Sequence, residues 1–346
     1  MNPPILGIVP LGLHWPTVDP FLFCAHHRDV YPPGNEAMGV EPSDLVGRNV
    51  GSDFTLKDGW RMYHGRRVPG FPQHPHRGFE TVTIAQSGYI DHSDSLGAQA
   101  RFGRGDVQWM TAGKGIVHAE MFPLVDREQP NPVELFQIWL NLPGKSKMVE
   151  PYFTMIWSEQ IQVHTHVGPS GSKTQVTVVA GVLGDAQGVA TPPDSWASAP
   201  EHGVNIWTIH IEPGAEWVLP AAGAGKTRVL YVHRTNGVSV AEQRVTSPTG
   251  VQLSSEASVR LINGDSPSEF LLLEGAPIGE TVAQHGPFVM NTRSELEVAF
   301  RDYQRDQFGG WPWSDDDPVL AGDTGRFARH ADGRIERPAR PKQVKS

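Results

Sequence analysis

The chain has 346 residues, 38% of them hydrophobic, with 37 Gly and 30 Pro; it is too long for one ordinary core and is punctuated for short strands joined by many turns. Its 38 acidic against 29 basic residues leave a formal charge of −9, which argues against nucleic acid or an anionic membrane as the main partner, since both demand concentrated Lys and Arg. A single cysteine, Cys24, excludes an internal disulfide framework and fits a reducing, cytoplasmic compartment.

The opening Pro4-Ile5-Leu6-Gly7-Ile8-Val9-Pro10 is apolar but short, with no Lys or Arg before it, so no signal peptide is expected. No run approaches the ~18 apolar residues of a membrane span. Residues 1 to about 60 mix short extended pieces with turns such as Pro32-Pro33-Gly34-Asn35. From Phe71 to Phe122, strand-like runs at 81–85, 89–92 and 107–110 are separated by glycine-containing turns. Such close, even spacing predicts a barrel or sandwich rather than alternating β/α units. Residues 134–142 alternate apolar and polar and close this part as a half-buried strand. Strand-like segments resume at 175–179, 206–211, 228–233 and 270–273.

One helix is signalled. Thr292 with Glu295 fits a capping box, Leu296, Ala299, Phe300 and Tyr303 form a helical stripe, and Gly309-Gly310 is the expected stop. Taken in chain order, the organisation is an all-β pair of barrels at 1–160 and 161–290. A helix with its Gly/Trp-rich stop follows at 291–314, and then a polar tail at 315–346, expected to be mobile or laid on the surface.

The chemistry concentrates in two short motifs. His74 and His76 stand two residues apart and, on a strand, face one side. Glu80, Val82 and Ile84 would share that face unless Arg77-Gly78 inserts a bulge. His118 and Glu120 form a second such pair about forty residues on. Two pairs on neighbouring strands would aim three imidazoles and a carboxylate at one interior point. That mixed shell suits iron, manganese, nickel, copper or zinc rather than calcium. Burying three imidazoles without a metal would leave ring nitrogens to satisfy.

The stretches Phe71-Pro72-Gln73-His74-Pro75-His76-Arg77-Gly78-Phe79-Glu80-Thr81 and Gly105-Asp106-Val107-Gln108-Trp109-Met110-Thr111-Ala112-Gly113-Lys114-Gly115-Ile116-Val117-His118-Ala119-Glu120 resemble the signatures of the pirin family, as does Gly286-Pro287-Phe288-Val289-Met290-Asn291-Thr292. The resemblance implies two cupin, jelly-roll-like barrels. It also implies one divalent transition metal in the first barrel, iron(II) foremost, with manganese, nickel, copper, cobalt or zinc admissible. Position by position, the family's ligands fall on His74, His76, His118 and Glu120. Glu80 fits the broader cupin pattern and ranks below Glu120. Arg104, Ser87 and Tyr89 depart from the family's usual residues near the expected pocket mouth.

The activity implied is that of a quercetin 2,3-dioxygenase, with a flavonol-like aromatic and dioxygen as substrates and Glu120 or Glu80 as general base. The alternative is a non-enzymatic, redox-responsive iron protein that engages a protein partner. His164 and His166 read as a surface strand or linker, and His202, His210 and His233 as scattered residues of a metal-free second barrel. Gly225-Lys226-Thr227 fails as a phosphate loop because Pro220 stands where the first glycine is required.

Overall fold

The computed structural model describes residues 3–339. The chain divides into two compact units that are not consecutive in sequence. One comprises the chain up to Ala25, Ile138–Pro143 and Gln160–Gly279; the other comprises His26–Gln137, Gly144–Glu159 and the chain from Glu280 onward. No helix among the described residues is long and apolar enough to cross a membrane.

The first unit is built on a seven-stranded antiparallel sheet. Its order is Ile5–Pro10, Thr249–Leu253, Thr227–Arg234, Ser268–Gly275, Asn205–Ile211, Lys173–Ala180 and Gln162–Val167. A four-stranded sheet that includes Glu216–Leu219 and Val259–Asn263 supplies the other layer. Trp207, Trp217, Leu230, Leu261 and Phe270 fill the core between them. The alternation read from the sequence is the physical cause: in Asn205–Ile211 the residues Trp207, Ile209 and Ile211 are buried while Thr208 and His210 are less so. Chain order alone would put Ile5–Pro10 with the residues that follow it, yet it pairs with Thr249–Leu253.

In the second unit one layer contains Tyr152–Ile156, Asp106–Thr111, Phe79–Ser87 and the parts of Asn131–Asn141 and Phe21–Tyr31 that belong to it. The other layer, which carries the histidines, has the order Ile335–Glu336, Phe327–Arg329, Gln99–Gly103, Tyr89–Asp94, Ile116–Met121, Gly70–His76. The core between them includes Met110, Leu135 and Phe153 from one layer and Ile90, Phe102 and Ile116 from the other.

The helix forms at Arg293–Asp306 with both bonds of the Thr292–Glu295 capping box made. Its stripe packs Leu296, Ala299, Phe300 and Tyr303 on Phe288 and Met290. It ends before the two glycines, because Gln307 takes the left-handed conformation at φ 51° and its N–H caps Tyr303 O.

Of the two expectations for the tail, mobile or laid on the surface, its described part follows the second. Residues 315–339 are tied to the second unit, and Phe327–Arg329 adds to its sheet opposite Gln99, Ala100 and Arg101. Composition hid this, because the tail contributes backbone and polar groups to partners already folded rather than an apolar face of its own. Residues 340–346 lie outside the described residues.

Candidate metal centre

Gly70–His76 is the edge strand of its sheet and lies antiparallel to Ile116–Met121, with His74 opposite His118 and His76 opposite Ile116. The register shifts between Phe71 and His74, which puts a bulge just before the histidines, while at Arg77-Gly78 the strand ends and Phe79–Ser87 begins in the other layer, so Glu80 does not continue the histidine face. The His74, His76 and His118 rings stand 4.4–4.9 Å apart by centroid. Their donor nitrogens all lie within 4.8 Å of one another.

Desolvation fixes the protonation of these rings. Burial holds His74 down to about 4, and it pushes His76 and His118 well below the ordinary imidazole value. All three are therefore neutral at physiological pH and each keeps a lone pair. His74 Nδ1 lies 2.9 Å from Pro72 O; a carbonyl only accepts, so Nδ1 carries the proton and Nε2 the lone pair.

His118 is fully buried, and both its ring nitrogens lack a hydrogen-bond partner among the described residues. Its Nε2 is 3.8 Å from Glu120 Oε2, too far for a hydrogen bond. An imidazole buried in that state costs roughly 1–3 kcal/mol. A coordinated cation would remove that cost, so the donor set fits a divalent transition metal.

Glu120 lies on the His118 strand, and its carboxylate accepts from Gln137 Nε2 at 3.1 Å and Thr83 Oγ1 at 3.3 Å. Burial raises its carboxyl to about 7. Glu80 occupies the other layer, where it accepts from Thr111 Oγ1 at 2.8 Å. Glu80 and Thr83 differ in parity on one unbroken strand, so Glu80 points to the face opposite the one from which Thr83 reaches Glu120. The nearby Phe79 ring lies 5.1 Å from His76.

Two residues escaped the sequence reading. His92 and Asp94 stand across the ladder from Glu120 and His118 respectively. The His92 ring is 5.5 Å from that of His118, and its Nε2 is 3.0 Å from Asp94 Oδ2. Their spacing of two in a strand-like run is the signal that would have found them. His164 and His166 lie on the exposed edge strand Gln162–Val167, apart from this site. His202 is stacked on Trp196, and His210 lies 3.8 Å from Glu269.

Residues 46–140 match the family model described as Pirin, and residues 206–309 match Pirin C-terminal cupin domain. Human pirin is 36% identical over 284 residues, which cover 80% of this chain and 90% of that protein. A pirin-like protein from Caulobacter vibrioides is 37% identical over 242 residues, 69% of this chain and 80% of its own length. Among solved structures, a quercetin 2,3-dioxygenase from Acinetobacter baumannii aligns with a TM-score of 0.68 at 28% identity, covering 89% of this chain and 98% of that one. The fold is therefore that of two cupin barrels with a C-terminal helix.

Proposed function

The chain belongs to the pirin family, and on that premise we propose that it is a metal-dependent dioxygenase of the quercetin 2,3-dioxygenase type. The observation that carries this reading is the clustered, unprotonated trio of half-buried His74 and buried His76 and His118, with both His118 nitrogens unpartnered. The similarity to the Acinetobacter baumannii quercetin 2,3-dioxygenase supports a flavonol-like aromatic as substrate.

In this reading the three histidines hold one divalent transition metal, iron(II) foremost, and Glu120 completes the set. The metal supplies Lewis acidity and a path for electron density from an ionised aromatic hydroxyl to dioxygen. Glu120, the carboxylate beside the trio on the His118 strand, receives the hydroxyl proton. Thr83 and Gln137 hold its two oxygens in place. Phe79, fully buried, walls the histidines from water.

The test is oxygen uptake by iron(II)-reconstituted protein with quercetin. Stoichiometric oxygen consumption with ring opening is expected, lost in His74→Ala and kept in His210→Ala. If iron-, manganese-, nickel- and copper-loaded protein all leave quercetin untouched, the reading fails for that substrate. Metal-responsive capture of a protein partner, suggested by the similarity to human pirin, then becomes the better one.

A further inference from the structure

Two of the three histidine donors sit on a strand whose outer edge is bridged only at its ends, by Tyr63 at Gly70 and by Phe288 at Arg77. Gly70–His76 is a sheet edge, and the shift between Phe71 and His74 leaves Pro72 and Gln73 without ladder partners just before His74. A bulge on an edge strand loses ladder hydrogen bonds on both sides. The Gln73 N–H that it frees does not go unused: it donates to Asp316 O at 2.7 Å, and Gln73 Nε2 donates to Asp316 Oδ1 at 2.7 Å.

Three residues earlier, Trp313 Nε1 donates to Asp94 O at 2.9 Å. Asp94 is the residue across the ladder from His118, and its carboxylate holds His92 against the His118 ring. Trp313 and Asp316 thus fasten the two strands that flank the His118 strand on either side.

The segment bearing them is anchored firmly further on. Arg101, 1% exposed, forms a two-bond pair with Asp91 and spends its remaining donors on the carbonyls of Leu320, Ala321 and Thr324. Arg326 reaches Asp106 and Glu159. His330 stacks on Phe153 at 4.8 Å, and Phe153 in turn meets His92 edge-on at 5.1 Å. The strap residues themselves lie beyond residue 309, where the family match ends.

We propose that residues 313–330 form a strap that sets the geometry of the three-histidine site, with Asp316 and Trp313 as positioning residues acting through Gln73 and Asp94. The inference rests on the trio being the metal site, and it concerns a segment outside the residues that the two family models match. Between the bridges that Tyr63 and Phe288 make at the ends of the His74 strand, the strap supplies the outer-edge bond at Gln73, so its loss should loosen His74 and His92 before it unfolds the unit.

The test compares the double variant Trp313→Phe/Asp316→Ala with Arg326→Gln, which frees the strap at its far anchor without touching Gln73 or Asp94. Cobalt(II) serves as the probe, because its visible absorption follows ligand geometry. In the double variant, chelator-driven cobalt release should be roughly tenfold faster, the order of effect seen when groups behind metal ligands are lost, and the absorption band should shift. The Gln73 and Asp94 amides of the metal-free protein should also exchange faster. Arg326→Gln should lower Tm at least as much yet leave both signatures near wild type.

Equal changes in the two variants would reduce the strap to ordinary stabilisation and overturn the proposal, as would unchanged release and exchange in the double variant. If the double variant does not fold, Asp316→Ala alone is judged by the same readouts. Should wild-type protein take up no cobalt, the metal-site reading fails, and the strap stands or falls on amide exchange at Gln73 and Asp94.

Discussion

His74 lies directly across an antiparallel ladder from His118, with their ring centroids 4.4 Å apart. Side chains opposed in this way share one face of the sheet, so two motifs forty residues apart in sequence meet by register alone. Replacing His118 or His76 with Ala should therefore take metal content from about one per chain to near zero while the unit stays folded. Elemental analysis beside circular dichroism reads both; full metal content in either variant would sink the assignment.

Glu120 and Glu80 are separated by the same logic. Glu120→Gln should weaken metal affinity more than Glu80→Gln does, since Glu120 Oε2 lies 3.8 Å from His118 Nε2. Competition with a chromophoric chelator gives the order. A larger loss at Glu80 would mean that the general cupin ligand pattern applies here instead.

A buried carboxyl elsewhere in the same unit gives a pH dependence. Burial raises Asp29 to about 6, against the lowering effects of the Tyr63 hydroxyl at 2.6 Å and of Arg61. Its folded value lies above its unfolded one, so its contribution is fully present below about pH 4 and is lost as pH rises through 6. The span corresponds to about 3 kcal/mol at most. Denaturant unfolding of wild type and Asp29→Asn from pH 4 to 7 should show the wild type losing stability relative to the variant. A flat difference would contradict it.

Lys147, 2% exposed, donates to Gly78 O at 2.8 Å and Val289 O at 3.2 Å. Lys147→Met should destabilise the protein by roughly 2–4 kcal/mol through carbonyls left without their donor. The midpoint of urea unfolding measures it, and a change under 1 kcal/mol would mean that water replaces the ammonium.

Thr292→Ala removes a cap whose hydroxyl accepts from Glu295 N at 3.2 Å. The expected cost is about 1 kcal/mol, visible as a lower Tm with unchanged metal content.

How much of this was legible beforehand depends on the range of each interaction. His74, His76, His118 and Glu120 announce themselves because strand parity is a local rule, and Thr292 with Glu295 because a capping box spans four residues. The break at Arg77-Gly78 was visible because glycine signals it, whereas the bulge before His74 was not, since nothing in Pro72-Gln73 shows that they leave the ladder. Trp313 and Asp316 gave no warning at all. Their partners, Asp94 and Gln73, lie 219 and 243 residues away, and a segment with few apolar side chains reads as solvent-exposed when its contribution is made through carbonyls and one indole N–H. Ile5–Pro10 hid for a related reason, because nothing within six residues says that its partner is Thr249–Leu253.

That last pairing governs the order in which the molecule can be made. The sheet that begins with Ile5–Pro10 waits for residues 249–253 to leave the ribosome, and the sheet that carries His118 waits for Phe327–Arg329. Neither unit is a continuous stretch of chain, so no single cut yields one of them whole. The first sheet lacks its last strand until Gly275 has been made and the second until Glu336, and until the first is complete two unfinished sheet edges stand open at once, the condition in which chaperone capture is most valuable.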